Sequence, residues 1–214
     1  MCNLADNRCY SDPPPGVDAK PPNIDGTLPV ICTPRRLLAG GIAVEQQGWS
    51  IERVGTGTVT YAQGVTTLTT SNNGRQLLVL RNVFPPTQWA IVIAGEVIQA
   101  GGHTPSNASI ALMSSFTDPT GTDGERARMI FVDEAAWGFG AGGTSIGTNM
   151  KLPSTYRLER TAGGGLKASV TTTGTSSVST GSFTSNGTIA VGDQTTEMGL
   201  DSTFRITSID LECP

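Results

Sequence analysis

Glycine and proline interrupt this chain at short intervals, 27 and 13 times in 214 residues. Between the interruptions, apolar residues recur at every second position, the period of a half-buried strand, and not at the 3.6-residue period of a helix. Such a chain can fold only into extended segments linked by turns. Trp49-Ser50-Ile51-Glu52-Arg53-Val54 and Thr58-Val59-Thr60-Tyr61-Ala62 alternate. Residues 76–84 form a nearly continuous apolar strand closed by Pro85-Pro86, and residues 89–94 read as a central strand buried on both faces. Residues 109–113, 126–132 and 188–191 are further strands. Tyr156-Arg157-Leu158-Glu159-Arg160, a glycine-rich turn, and Leu166-Lys167-Ala168-Ser169-Val170 make the clearest hairpin. In the last strand, residues 203–211, Phe204 and Ile206 fit one register and Ile209 and Leu211 the other, so a bulge is expected between them. The only helix candidate, residues 125–136, is better explained by alternation. The Ser/Thr/Gly tract 171–186 reads as an edge hairpin. The sum is about 11–13 strands.

Residues 1–34 are of another kind. They hold Pro13, Pro14, Pro15, Pro21, Pro22, Pro29 and Pro34, and three of the four cysteines, Cys2, Cys9 and Cys32. Proline fixes φ and removes a donor, so polyproline-II and extended conformations are expected. Apolar residues are too sparse for this stretch to fold alone. It reads as an anchoring arm, docked through Pro13, Pro14, Pro15, Pro21, Pro22, Ile24, Leu28, Val30 and Ile31 by strand addition and proline contacts. Arg35-Arg36-Leu37-Leu38-Ala39-Gly40-Gly41 reads as a hinge, which sets the arm at residues 1–41 and the β domain at 42–214.

Charged residues make up 15% and hydrophobic residues 37%, so the surface is neutral and rich in hydroxyls and amides. A net charge of −4 and a single adjacent basic pair, Arg35-Arg36, give no attraction to a polyanion, and no nucleic-acid partner is expected. No apolar run approaches the ~18 residues of a membrane span, so no membrane insertion is expected. The opening residues lack an apolar signal core, which is read as synthesis in a cytoplasm without export by the standard route. Free thiols are the rule there. In an oxidised particle, four cysteines allow three pairings, and Cys32 with Cys213 would clip the arm's end to the last strand. The cysteine spacing, with no histidine nearby, is poor for zinc.

The order Gly48-Trp49, the Trp89-led strand, the Tyr156–Ala168 hairpin, Ile189-Ala190-Val191-Gly192 and a final strand ending Ile209-Asp210-Leu211 resembles the concanavalin A-like lectin/glucanase sandwich, laminin-G-type domains included. The resemblance covers roughly residues 45–213 and rests on pattern. It implies an all-β, antiparallel two-sheet jelly-roll sandwich with an extended N-terminal arm. A proline-rich arm on such a sandwich also looks like a tailed-phage virion accessory protein. The resulting expectation is a non-enzymatic virion structural protein, a head decoration, fibre or tail accessory protein. Its partners would be other virion proteins and copies of itself. The alternative is a carbohydrate-binding adhesion module for host-surface glycans, and the second alternative a diverged glycoside hydrolase.

Candidate sites are few. Trp137, between Ala136 and Gly138, is the candidate sugar platform, since sugar CH faces stack on rings; Trp49 and Trp89 read as core. Asp118, Asp123 and Glu125 put three carboxylates on one short loop, the oxygen set a hard cation takes, and laminin-G-like domains often bind calcium. Calcium is the one cofactor candidate; otherwise none is expected. Glycoside hydrolysis needs two carboxylates flanking one bond. The glucanases of this resemblance carry them in a Glu-x-Asp-x-(x)-Glu run, which is absent here. Asp210 and Glu212 share a face, whereas Asp133 and Glu134 point to opposite faces. His103, the only histidine, lies in a glycine-rich loop without a triad context. The sequons at Asn107 and Asn186 are read as chance matches in a Ser/Thr-rich chain.

Overall fold

The computed structural model describes residues 2–3, 8–9, 32–83, 88–104, 107–108, 110–113, 128–132, 135–138, 145–148, 152–171, 176–178, 187–195 and 201–213. Residues 2–3, 8–9, 72–73, 102–104, 107–108, 128–132, 135–138, 145–148 and 176–178 are described by their backbone alone. The chain divides into two units, Met1–Val30 and Ile31–Pro214. In the first, Cys2–Asn3 (β1) pairs antiparallel with Arg8–Cys9 (β2), Cys2 opposite Cys9. The anchoring candidates Pro13, Pro14, Pro15, Pro21, Pro22, Ile24, Leu28, Val30 and Ile31 lie outside the described residues.

The second unit is built from Arg35–Ala39 (β3), Ser50–Ala62 (β4), Val65–Leu80 (β5), Trp89–Ala100 (β6), Gly102–Thr104 (β7), Asn107–Ala108 (β8), Ile110–Met113 (β9), Arg128–Val132 (β10), Ala135–Gly138 (β11), Ser145–Thr148 (β12), Ser154–Arg160 (β13), Leu166–Val170 (β14), Ser176–Val178 (β15), Ile189–Asp193 (β16) and Ser202–Glu212 (β17). A single 3-10 turn, Val44–Gln47, is the helical element among the described residues. All strand pairs are antiparallel. β7 and β8 pair with each other alone.

The other strands form one continuous hydrogen-bonded sheet rolled into two layers. In layer A, β17 lies beside β6, followed by β13, β14 and β15; in layer B, β16 lies beside β9, followed by β10, β11 and β12. β5 belongs to both. Residues 66–70 pair with β17, whereas residues 76–80 pair with β16, and β4 follows β5 through both halves. The corner needs two devices. β4 carries a register shift between Val54 and Thr56, with Gly55 at φ +72°. Opposite it, a Cβ at Gly74 would collide with the Thr56 carbonyl, so only glycine fits the inside of the bend. This is the all-β jelly-roll sandwich expected, with its two sheets continuous through β5.

The core lies between the layers. Trp89, Tyr156, Phe204, Leu78, Leu112 and Ile189 are all buried in it, and the Tyr156 and Phe204 rings meet edge to face at 5.9 Å. The hairpin of β13 and β14 pairs Tyr156 with Val170 and Arg160 with Leu166, burying Tyr156 and Leu158. In β17, Ile206 pairs with Gly95 and Ser208 with Ala94, leaving Thr207 as the extra residue. The bulge thus falls where the apolar phase slips, and Phe204, Ile206, Ile209 and Leu211 are all buried.

The segment read as a hinge is not one. Residues 35–39 form β3, paired with β17, and Leu37 and Leu38 enter the core. The Trp49 indole N–H donates to the Leu37 carbonyl at 2.8 Å. Two adjacent leucines can both be buried because the register shifts there: Leu38 faces Ile209 and Arg36 faces Asp210, which leaves Leu37 as an extra residue. Cys32 and Cys213 are joined in a disulfide, with Cα atoms 5.6 Å apart.

Candidate functional site

Two surfaces bear on function: the outer face of layer B, and the polar interior where β5 crosses between layers. On β5, β9 and β16, the core takes Leu78, Leu112, Ile189 and Val191. One position out of phase, Leu77, Val79, Ala111, Met113 and Ala190 make a second buried cluster on the opposite face. The register sets these residues in rows. One row runs Glu52, Leu77, Gly192, Ala111, Ile130, Trp137 across β4, β5, β16, β9, β10 and β11. The next runs Ser50, Val79, Ala190, Met113, Arg128. Small residues occupy the middle. Gly192, at φ +133°, admits no side chain, because a Cβ there would run into the Gln76 carbonyl.

The middle of this face is closed to solvent, since Leu77, Val79, Ala111, Met113 and Ala190 are each at most 1% exposed. The β4 margin is different. Arg81 donates to Glu52 Oε1 at 2.5 Å and to the Ser50 hydroxyl at 3.2 Å. The Arg81 side chain is half exposed. Glu52 Oε2 is shielded from solvent and accepts no hydrogen bond, so one oxygen of an oriented carboxylate is unspent.

The sequence candidates fall in several places. Trp137 occupies the same row as Glu52, opposite Ile130, five strands away, or about 24 Å along the sheet. Asp118, Asp123 and Glu125 lie outside the described residues, as do Asp133, Glu134 and Asn186. His103 is a backbone position in β7 and Asn107 one in β8. Trp49 and Trp89 are core residues. Asp210 and Glu212 lie on the outer face of layer A, and each is held by an arginine: Asp210 by Arg36, and Glu212 by Arg157, which also donates to Glu159 at 2.6 Å. The two carboxylates are thus tied to different arginines.

The interior cluster centres on Asp193, buried at the end of β16. Asp193 Oδ2 accepts from the Thr70 hydroxyl and, at 2.9 Å, from the Ser202 hydroxyl; Oδ1 accepts the Thr195 N–H at 3.0 Å. Burial pushes the Asp193 carboxyl up to about 6, against the pull of those donors and of Arg75. Beside it, the Gln76 amide donates to the Thr58 carbonyl at 2.6 Å and accepts from Arg53 at 2.8 Å. The cluster ties β16 of layer B to β5 and β17 of layer A.

Neither Glu52 nor Asp193 stood out in the sequence. Ser50 and Glu52 do fall on the polar phase of an alternating strand. Asp193 continues an apolar run, a signal that a strand buried on both faces holds a satisfied carboxylate.

No protein-family model matches the chain, and no curated protein matches it. Solved structures do. A protein of unknown function, SO2946 from Shewanella oneidensis MR-1, superposes with a TM-score of 0.57 at 13% identity, covering 83% of this chain and 84% of that one. The VIP36 exoplasmic/lumenal domain, in its Ca2+/Man3GlcNAc-bound form, gives 0.55 at 10% identity, with 82% and 86% covered. The Emp46p carbohydrate recognition domain, in its metal-free form, gives 0.50 at 16% identity, with 78% and 88% covered. At these identities the likeness is one of fold: this chain has a lectin-like sandwich.

Proposed function

We propose that the sandwich is a carbohydrate-binding module and not an enzyme. The observation that carries this reading is the Ser50, Glu52 and Arg81 group at the margin of layer B. Sugar hydroxyls are recognised by planar donors held in place, and the half-exposed Arg81 guanidinium, fixed by Glu52 and Ser50, is one. Support comes from the fold shared with VIP36, bound to Ca2+ and Man3GlcNAc, and with the Emp46p carbohydrate recognition domain. The neutral, hydroxyl-rich surface fits host glycans better than it fits a polyanion. Glycan-array binding is the test. Glu52→Gln and Arg81→Ala abolish binding, whereas Trp137→Ala, five strands away, leaves most of it. An array without any bound glycan overturns the reading. Calcium, through Asp118, Asp123 and Glu125, is a subsidiary proposal, and loss of glycan binding on chelation is its readout.

A second reading concerns attachment. The sandwich closes on itself from Ile31 onward, with Cys32 bonded to Cys213, so residues 1–30 are a separate unit. We propose that this arm fastens the module to a larger assembly, a virion being the proposed site. Limited proteolysis tests it: residues before Ile31 are cleaved in the isolated protein and protected in the assembly. Cleavage in both states removes the anchoring role.

A further inference from the structure

We propose that the open edge of β4 pairs with the same strand of a second copy of this chain. β4 hydrogen-bonds to β5 along its 13 residues, and among the described residues no strand lies on its other side. Such an edge is a template for another strand, and proteins block it with charge, proline or a bulge. The first half of β4 is blocked in this way by Glu52, Arg53 and the shift between Val54 and Thr56. The second half, residues 56–62, has no charged side chain and no proline. Thr58 and Thr60 are exposed there; the register continues the first row into Thr69 and Thr203 and the second into Thr67 and Arg205, so hydroxyls line the edge itself.

A second copy is the occupant because this segment complements itself. Pairing it antiparallel about Val59 sets Thr58 opposite Thr60 of the other copy, Gly57 opposite Tyr61, and Thr56 opposite Ala62. β-branched pairs are favourable cross-strand neighbours, and no like charges meet. The operation is a twofold, so both copies use one surface and the assembly closes as a dimer with layer A continuous across it. This inference is independent of glycan binding.

Sedimentation equilibrium of the full chain over a concentration series is the test. The wild type should approach twice the 22.2 kDa chain mass. The variant T58K/T60K sets lysines opposite each other across the twofold and should sediment at one chain mass. T58K/T60E places each new lysine opposite a new glutamate and should restore the dimer, which a merely misfolded variant cannot do. A wild type that is monomeric throughout overturns the proposal, and so does a T58K/T60K variant that stays dimeric. Slow exchange of those amides of residues 56–62 that point away from β5, in a monomeric wild type, would assign the edge to another segment of the same chain.

Discussion

Asp193 is a carboxylate set between two layers, and its environment fixes the sign of a pH effect. Its folded-state value of about 6 lies above the ordinary 3.8. The native state therefore binds more protons than the unfolded chain between those values, and this group's contribution to stability falls as pH rises through that window. The upper bound is about 3 kcal/mol between pH 3.5 and pH 7.5. Urea denaturation across this range should show that component in the wild type and lose it in Asp193→Asn. The asparagine keeps an acceptor for Thr70 and Ser202 but does not titrate. Gly192, one residue earlier, makes a steric demand. Gly192→Ala combines an unfavourable φ with a backbone collision, and a loss on the order of 3 kcal/mol or more is expected, read as a lower urea midpoint.

At the scale of the element, β17 shows how one residue can hold a domain together. It pairs with β3, β5 and β6, and its two halves bury opposite phases. Deleting Thr207 removes the bulge and slips one half by one residue, which turns either Phe204 and Ile206 or Ile209 and Leu211 out of the core. The expected outcome is loss of near-ultraviolet circular dichroism and of soluble yield. Thr207→Ala, which keeps the residue count, should leave both near wild type. This bulge was legible in the sequence because a period of two leaves a visible scar when it breaks. The β13–β14 hairpin was legible for a like reason, alternation on both sides of a glycine turn. β3 was not: Arg35, Arg36, Gly40 and Gly41 flank only two apolar residues, and their burial depends on Trp49 and β17, distant in sequence. The Glu52 and Arg81 site was equally invisible, since only the pairing of β4 with β5 brings together residues 29 apart.

At the scale of the molecule, the ends of the sandwich meet. β3 and β17 are neighbours, and the Cys32–Cys213 bond spans a separation of 181 residues, so nearly the whole second unit becomes one closed loop. The chain-entropy model assigns such a closure about 5 kcal/mol, acting on the unfolded ensemble. Residual structure in real unfolded chains lowers the expected loss to about 2–5 kcal/mol for a Cys32→Ser/Cys213→Ser variant. The native sandwich should survive the change, because β3 is held independently by Leu37 and Leu38 in the core, by the Trp49 indole and by the Arg36–Asp210 ion pair. The expected signature is thus a lowered urea midpoint with unchanged circular dichroism. A reductant should reproduce that midpoint in the wild type and leave the double variant unmoved. If reductant leaves the wild type unmoved as well, the bond is not formed in solution, and the root of the arm is held by β3 alone.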